Sequence, residues 1–211
     1  MPIEFDKVNH EYRIRQQEGN PWVSVPSVTQ ILKGNGLSKG LEWATQEHRD
    51  RGTYIHKMIA KFERGELDES DNCPNPLTPE ARAYLEQWKR FKTESGDTET
   101  LLSEHQVMNW NFQYAGTLDL LIRMNRTVFL IDIKTGSPQP ADKLQTVLYQ
   151  LAYEAMQSHL PDPIHRACVY LKPDGYKMER FCEFFDDQYA ALSAVNVYHF
   201  KKRYNLLDVE L

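Results

Sequence analysis

The first hundred residues carry mainly the three- and four-residue apolar spacing of amphipathic helices. Residues 3–25 differ, because weak alternation and the turn signal Gly19-Asn20-Pro21 predict a short hairpin there. Ser27 or Thr29 is expected to cap a short helix that runs through Leu32.

Two longer helices are predicted after this short one. The first runs from about Leu41 to Arg64, with the buried stripe Ile55, Met58, Ile59 and Phe62. An acidic, proline-containing loop follows over residues 65–79. The second helix begins after the cap Thr78 and runs to about Thr93, with the apolar set Ala83, Tyr84, Trp88 and Phe91.

The pattern then changes to strands. Strands are predicted at about 101–110, 113–122 and 127–134, the last two joined as a hairpin by Met124-Asn125-Arg126. The unbroken apolar run from Val128 to Ile131 is typical of a strand that is buried on both faces.

The last third returns to helices and one further hairpin. A helix is predicted over 141–158, strands at 165–171 and 176–185, and a final helix from Asp186 or Asp187 to about Tyr204. Helices, strands, one crossover helix and more strands indicate an α/β fold with a mixed sheet flanked by helices.

Three charged residues stand out in the predicted strands. Asp119 lies in one, while Asp132 and Lys134 end the next and point to the same side because strand side chains alternate. Buried charges are costly unless they are paired or hold a metal, so this corner of the sheet is a candidate site. A partly exposed ion pair of little energetic value is the alternative.

Composition narrows the class of protein. The 211 residues carry a net charge of −5, which counts against a protein that coats nucleic acid by charge alone. No apolar run approaches a membrane span, and the N-terminus lacks the regions of a signal peptide. We therefore expect a cytoplasmic protein. Cys73, Cys168 and Cys182 form no C-x-x-C pair and no zinc spacing.

Five short motifs follow one another along the chain: GTYIH (52–56), Glu104, GTLD (116–119), DIKTG (132–136) and QTVLY (145–149). Their order and spacing closely resemble the PD-(D/E)XK nuclease superfamily, and within it the RecB-like and phage exonuclease branch. The stretch NHEYRI…VPSVTQIL is also similar to the opening of such proteins, so the resemblance covers roughly residues 8–155.

The resemblance implies a restriction-endonuclease-like core with an N-terminal helical region. We expect a single nuclease domain over 1–211. It would comprise a hairpin and helices in 1–100, the catalytic sheet core in 101–185 with its helix 141–158, and a C-terminal helix in 186–205.

The resemblance also implies a metal site. Asp119 and Asp132 would be the metal-binding carboxylates, and the Ile133 carbonyl would be a further ligand. His56 would be an additional ligand, as in the RecB-like branch, and Glu104 would lie near the metal or the attacking water. Carboxylates suit Mg²⁺, while a histidine ligand suits Mn²⁺ better, so one or two ions of either kind are expected.

Other roles carried over by the resemblance concern the substrate. Lys134 would position or activate the attacking water, and Gln145 and Tyr149 would orient the DNA end or the catalytic residues. From the sequence itself, the candidate phosphate contacts are Thr135 and the basic side chains around the first long helix: Lys39, Arg49, Arg51, Lys57, Lys61 and Arg64. The alternative for the helix is a solvated charged face, since Glu42, Glu47, Asp50 and Glu63 are interspersed.

Two features of relatives are missing from the sequence. Several RecB-like relatives hold an iron–sulfur cluster through four cysteines, whereas this chain has three, so no cluster is expected. There is no Walker A loop, so no ATP requirement is expected and the nuclease would stand alone.

The main hypothesis is a metal-dependent DNA exonuclease acting on linear, end-containing DNA. It would work in phage or bacterial recombination, repair or processing, in a bacterial or phage-infected cell and beside a single-strand annealing protein. The alternatives are a structure- or site-specific endonuclease and a non-catalytic nucleic-acid-binding module. Digestion polarity, strand preference and oligomeric state stay open, although an oligomer is compatible with the family.

Overall fold

The computed structural model describes residues 2–6, 11–38, 45–158 and 163–207. Its strands are β1 (Ile3–Asp6), β2 (Glu11–Ile14), β3 (Val23–Val25), β4 (Thr98–Asn109), β5 (Tyr114–Met124), β6 (Thr127–Lys134), β7 (Ile164–Lys172) and β8 (Gly175–Phe181). Its helices are α1 (Val28–Gly34), α2 (Gln46–Glu63), α3 (Pro79–Glu94), α4 (Pro140–Met156) and α5 (Phe184–Arg203).

The central sheet has five strands in the order β4-β5-β6-β7-β8. Only β6 and β7 pair in parallel, because α4 carries the chain back between them, and the other pairs are antiparallel. The turn between β5 and β6 consists of Asn125 and Arg126, with φ values of 47° and 72°. Two positive φ values in a two-residue turn match the twist of the flanking strands.

Helices cover both faces of this sheet. α2 and α3 pack on one face, where Trp88 and Phe91 share a buried cluster with Phe129, Ile131 and Ile133 of the sheet. α1, α4 and α5 cover the other face, which includes Val128 and Leu130 of the same strand. Alternate residues of β6 thus enter different cores, and both faces are buried as the apolar run predicts.

The N-terminal strands form a small separate sheet in the order β1-β2-β3. It has three strands where a single hairpin was predicted, because β1 adds to β2 on the side away from β3. Tyr12 and Thr117 join this sheet to β5 through a 2.8 Å hydrogen bond between their hydroxyl oxygens. The small sheet therefore lies over one end of β5.

Several helix ends agree with the sequence. Ser27 caps α1 and Thr78 caps α3, each accepting a hydrogen bond from a backbone N–H in the first turn. In α3, Ala83 is only half-buried, and Ala81 and Leu85 take the buried positions instead.

Other boundaries differ from expectation. α2 begins at Gln46 after its cap Thr45, and the predicted start at Leu41 lies outside the described residues. β8 ends at Phe181 rather than at residue 185, and α5 begins at Phe184 rather than at Asp186 or Asp187. Phe184 and Phe185 continue an apolar stretch and resemble a strand in sequence, yet they form the first helical turn. The described part of the chain contains no helix long and apolar enough to cross a membrane.

Candidate active site

A cavity of about 1070 Å³ opens between the N-terminal sheet, α1, α2 and the ends of β5 and β6. It is lined by residues of all five sequence motifs, among them His56, Glu104, Asp119, Lys134 and Gln145. The fold therefore brings together elements that lie up to 89 positions apart in the sequence.

His56, Glu104 and Asp119 form a compact group in this cavity. Each offers one ligand atom, and these atoms all lie within 4.8 Å of one another. His56 Nδ1 is 3.2 Å from Asp119 Oδ2, which also accepts a 2.7 Å hydrogen bond from the Ile133 N–H. Ile133 thus contacts Asp119 through its amide, while its carbonyl is the atom that the resemblance assigns to a metal.

Glu104 has an unusual backbone conformation in this group. Neighbouring pairs of the β4–β5 ladder, Ser103 with Leu120 and His105 with Leu118, place it opposite Asp119. Its φ of 50° lies in the left-handed region, which residues other than glycine rarely adopt. β4 also has a register shift between Thr100 and Leu102, so the strand is irregular just before the site.

The three groups influence one another's protonation. Burial alone would lower the pKa of His56, but the charge and hydrogen bond of Asp119 raise it to about 9. Burial opposes ionisation of Asp119 as well, yet the charge of His56 holds its pKa below the usual range. Burial, followed by the charge of Asp119, raises the pKa of Glu104. Without a metal, His56 therefore acts as the counter-ion of Asp119.

Asp132 and Lys134 form the second part of the site. Their side chains lie on the same side of β6, as predicted, and Lys134 Nζ is 2.6 Å from Asp132 Oδ2. Asp132 is only 2% exposed, and burial raises its pKa to about 6 against the opposing charge of Lys134. Burial would lower the pKa of Lys134, but the charges of Asp132 and Asp142 raise it. Lys134 is thus held as an ammonium and can donate hydrogen bonds.

A hydrogen-bonded chain on α4 fixes the lysine from the other side. Lys134 Nζ donates to Gln145 Oε1 at 2.8 Å, and Gln145 Nε2 donates to the Tyr149 hydroxyl at 3.1 Å. The Tyr149 ring packs so closely on Gly116 that a Cβ there would lie 2.6 Å from Tyr149 Cε1. Gly116 of the GTLD motif thus gives room to the tyrosine of the QTVLY motif.

Asp142 and Tyr170 belong to this network but were not predicted from the sequence. Asp142 Oδ2 accepts 2.8 Å hydrogen bonds from the Tyr170 hydroxyl and from the Gln139 N–H. Its other oxygen lies 3.8 Å from Lys134 Nζ. An acid in the first turn of a helix is expected as a cap in any case, so the sequence contains no separate signal for the contact of Asp142 with the lysine.

The order of these elements is matched by a known family. The family model of the PD-(D/E)XK nuclease superfamily matches residues 33–200, which is most of the chain. The chain belongs to this superfamily. The PD-(D/E)XK nucleases use divalent metal ions.

Two solved structures are similar to this chain at low sequence identity. A candidate exonuclease from Eubacterium rectale has a TM-score of 0.53 and 11% identity, with 87% of this chain and 83% of that chain covered. LHK-Exo, solved in complex with dAMP, has a TM-score of 0.46 and 12% identity, with 86% of this chain and 89% of that chain covered. The comparison with curated proteins found no match. Together with the family match, the Eubacterium rectale structure shows that the mixed sheet with its flanking helices is the PD-(D/E)XK nuclease fold.

The donor set fits a divalent cation. One imidazole nitrogen and two carboxylate oxygens converge within 4.8 Å, a separation over which one ion can be shared. Nitrogen and oxygen donors in this ratio suit Mn²⁺ and are compatible with Mg²⁺. Among the described residues, this compact group includes Glu104, whereas Asp132 is engaged by Lys134.

Basic residues line the same cavity. The cavity wall includes the predicted nucleic-acid contacts, which are the basic residues Arg49, Arg51 and Lys57 together with Thr135. Arg51 also forms a 3.7 Å ion pair with Glu80. The basic face is narrower than the sequence suggested: Lys61 and Arg64 of the same helix lie outside the cavity, and Lys39 is outside the described residues.

Proposed function

We propose that the protein is a metal-dependent exonuclease that hydrolyses phosphodiester bonds of linear DNA. The observation that carries the proposal is one cavity that holds a histidine–carboxylate group, a lysine fixed as an ammonium and a basic wall. The PD-(D/E)XK family supports a nuclease. The exonuclease role is favoured by the description of the Eubacterium rectale protein, whose fold this chain shares.

In this proposal His56, Glu104, Asp119 and Asp132 would hold the cation. When bound, the cation would lower the pKa of a water molecule and neutralise charge that develops on the phosphate. The Ile133 N–H keeps one oxygen of Asp119 in place through its 2.7 Å hydrogen bond. This orientation leaves the other carboxylate oxygen available for the ion.

Lys134 then acts on the phosphate and the attacking water. Its ammonium group donates hydrogen bonds, and a donor aimed at the charge that develops in the transition state stabilises it. Gln145 and Tyr149 restrict where Lys134 Nζ can lie, so the donor is already oriented when the substrate arrives. Arg49, Arg51 and Lys57 would bind phosphates along the strand that enters the cavity.

The test is digestion of end-labelled linear DNA with Mg²⁺, with Mn²⁺ and with EDTA. We expect cleavage that depends on the metal and starts at an end. Labels at the 5′ and 3′ ends of single and double strands give polarity and strand preference. A covalently closed circle should stay intact, and its cleavage would instead establish the endonuclease. If the protein binds both metals yet degrades no linear DNA, the proposal is wrong.

Matched variants connect the activity to the site. Lys134→Met should keep Mn²⁺ binding but lose about 100-fold or more in turnover, since removal of one oriented donor has effects of this size. Lys177→Met, an exposed lysine on β8 outside the cavity, is the control and should retain activity. Asp119→Ala should weaken Mn²⁺ binding in a calorimetric titration.

The biological setting is part of the same proposal and is supported by the resemblance of the motif order to the RecB-like and phage branch. A RecB-like or phage-type exonuclease would resect DNA ends for recombination and pass the remaining strand to a single-strand annealing protein. Co-expression with such a protein, followed by purification through a tag on one of them, tests the partnership. Failure to co-purify would refute the proposed partnership but would not bear on the proposed nuclease activity.

A further inference from the structure

Asp142, in the first turn of α4, is held by one more hydrogen bond than a helix cap requires. It is only 6% exposed, and its Oδ2 atom accepts 2.8 Å hydrogen bonds from the Gln139 N–H and from the Tyr170 hydroxyl. The bond from Gln139 is the ordinary contact of a capping box. The bond from Tyr170 comes from β7 and has no part in ending the helix. It orients the carboxylate with respect to the sheet instead.

These two hydrogen bonds direct the other oxygen of Asp142 at Lys134. Each oxygen of a carboxylate has two acceptor sites, so Oδ2 is filled by its two donors. Since the donors belong to two different elements, the start of α4 and β7, the carboxylate cannot turn freely. Its Oδ1 atom faces Lys134 Nζ at 3.8 Å. Tyr170 is the direct neighbour of Lys134 in the parallel register of β6 and β7, which places the anchor and the lysine on the same face of the sheet.

The Lys134 ammonium carries three protons, and the described part of the chain supplies close acceptors for two of them. These acceptors are Asp132 Oδ2 at 2.6 Å and Gln145 Oε1 at 2.8 Å. Asp142 Oδ1, at 3.8 Å, is too far away for a hydrogen bond but near enough for charge attraction. Asp142 thus attracts the ammonium without accepting its third proton, which stays available to a substrate oxygen.

We propose that Asp142, oriented by Tyr170, is a positioning residue that keeps Lys134 Nζ in place while the site is occupied. Asp132 would share its charge with a bound cation, which leaves the ammonium beside added positive charge and weakens its hold. Asp142 is not among the proposed metal ligands, so its charge stays available to the lysine. This role rests on the proposed nuclease function, in which Lys134 acts on the phosphate and the attacking water.

Asp142→Asn removes the charge and keeps the helix cap. The amide oxygen can still accept from Gln139 and Tyr170, so the amide NH₂ group turns to Lys134 and sets donors against donors. In digestion of end-labelled linear DNA with Mg²⁺, kcat should fall by about 10- to 100-fold, as is typical when a partner behind a functional group is lost. KM should stay unchanged, because the lysine is displaced only from its place in the transition state. Asp186→Asn, at an exposed acid in the first turn of α5, is the control and should retain kcat.

Combined variants separate positioning from a merely structural effect. Tyr170→Phe removes the anchor but leaves the charge, so its loss of kcat should be smaller. Because Tyr170 acts through Asp142, the double variant should be no slower than Asp142→Asn alone. Because Asp142 acts through Lys134, Asp142→Asn should not slow Lys134→Met any further, whereas a structural defect would slow both backgrounds. Tyr198→Phe, at a buried tyrosine of α5 outside the cavity, is the control for the loss of a hydroxyl.

NMR of the full chain with isotope-labelled lysine gives a readout that does not depend on DNA cleavage. The ammonium signal of Lys134 is assigned by its loss in Lys134→Met. In Mg²⁺ we expect the wild-type protein to keep this signal, because firmly held ammonium protons exchange slowly with water, and Asp142→Asn to lose it. If circular dichroism shows that Asp142→Asn does not fold, Tyr170→Phe, which keeps the cap, takes its place in both assays and should weaken the signal.

The outcomes distinguish this role from the proposed function. A signal that is absent from the wild-type protein in Mg²⁺, or that Asp142→Asn keeps unchanged, would overturn the positioning role. Equal slowing by Asp142→Asn with and without Lys134 would do the same. If the signals behave as expected but no linear DNA is cleaved, the nuclease function is wrong, while the placement of Lys134 by Asp142 stands.

Discussion

Gly116→Ala tests whether the site depends on close packing between β5 and α4. An added Cβ would lie 2.6 Å from Tyr149 Cε1, 3.3 Å from Tyr149 Cδ1 and 3.4 Å from Val28 Cγ2. Carbon atoms in contact prefer a separation of about 3.5–4.0 Å, so the ring must move by about 1 Å. Tyr149 is 6% exposed and has little free space, and overpacking of this kind typically costs about 1–3 kcal/mol.

The same displacement should affect the chemistry. The Tyr149 hydroxyl accepts from Gln145 at 3.1 Å, and a shift of about 1 Å would break that hydrogen bond. Gln145 would then hold Lys134 less firmly. We expect Gly116→Ala to lower the turnover of labelled DNA more than it lowers substrate binding, because the lysine is present but badly placed.

Urea unfolding measures the stability part in a double-mutant cycle. Tyr149→Leu removes the atom that makes the 2.6 Å contact, so Gly116→Ala should cost clearly less in that background. Gly136→Ala is the control: a Cβ there meets nothing within 4 Å, and its effect should stay within about 0.5 kcal/mol. An equal cost of Gly116→Ala in both backgrounds, or no cost at all, would refute the reasoning.

Two further predictions concern buried charges. Arg166→Met should destabilise the protein by about 3–5 kcal/mol in urea unfolding, because it leaves the buried Asp187, 2.7 Å away and 7% exposed, without its partner. Adding Asp187→Leu should recover much of the lost stability. No recovery in the double variant would contradict this account. In EDTA, stability should fall as pH rises from about 6.5 to about 9, because the pKa of His56 is raised to about 9 on folding and the charged form stabilises Asp119. Calorimetry should show Mn²⁺ affinity rising over the same interval, and His56→Asn should abolish both trends.

Much of the fold was predictable because its strands and helices carry strong local patterns. The run from Val128 to Ile131 predicted a doubly buried strand, and its alternate residues do enter two different cores. Thr78 and Pro79 marked the start of α3 correctly, since capping is a local interaction. The pattern failed at Phe184 and Phe185, where an apolar pair fits a strand and a helix equally well.

The sequence motifs could name candidate site residues but could not reveal the contacts between them. The motif order proposed His56, Asp119 and Lys134 as candidates, and all three line one cavity. It did not indicate that His56, Glu104 and Asp119 would form one compact group without Asp132, because that grouping depends on the irregular path of β4. Nor could spacing reveal Asp142, whose contact with the lysine arises only when α4 packs on the sheet.

The left-handed backbone at Glu104 has a consequence for attempts to engineer this protein. A non-glycine residue in that conformation costs about 1–2 kcal/mol, and glycine would remove the strain. A screen that selects for thermal stability would therefore favour Glu104→Gly, a more stable variant that lacks one candidate metal ligand. At this position, higher thermal stability conflicts with the proposed metal-binding role, so a library designed for stability should keep Glu104 unchanged.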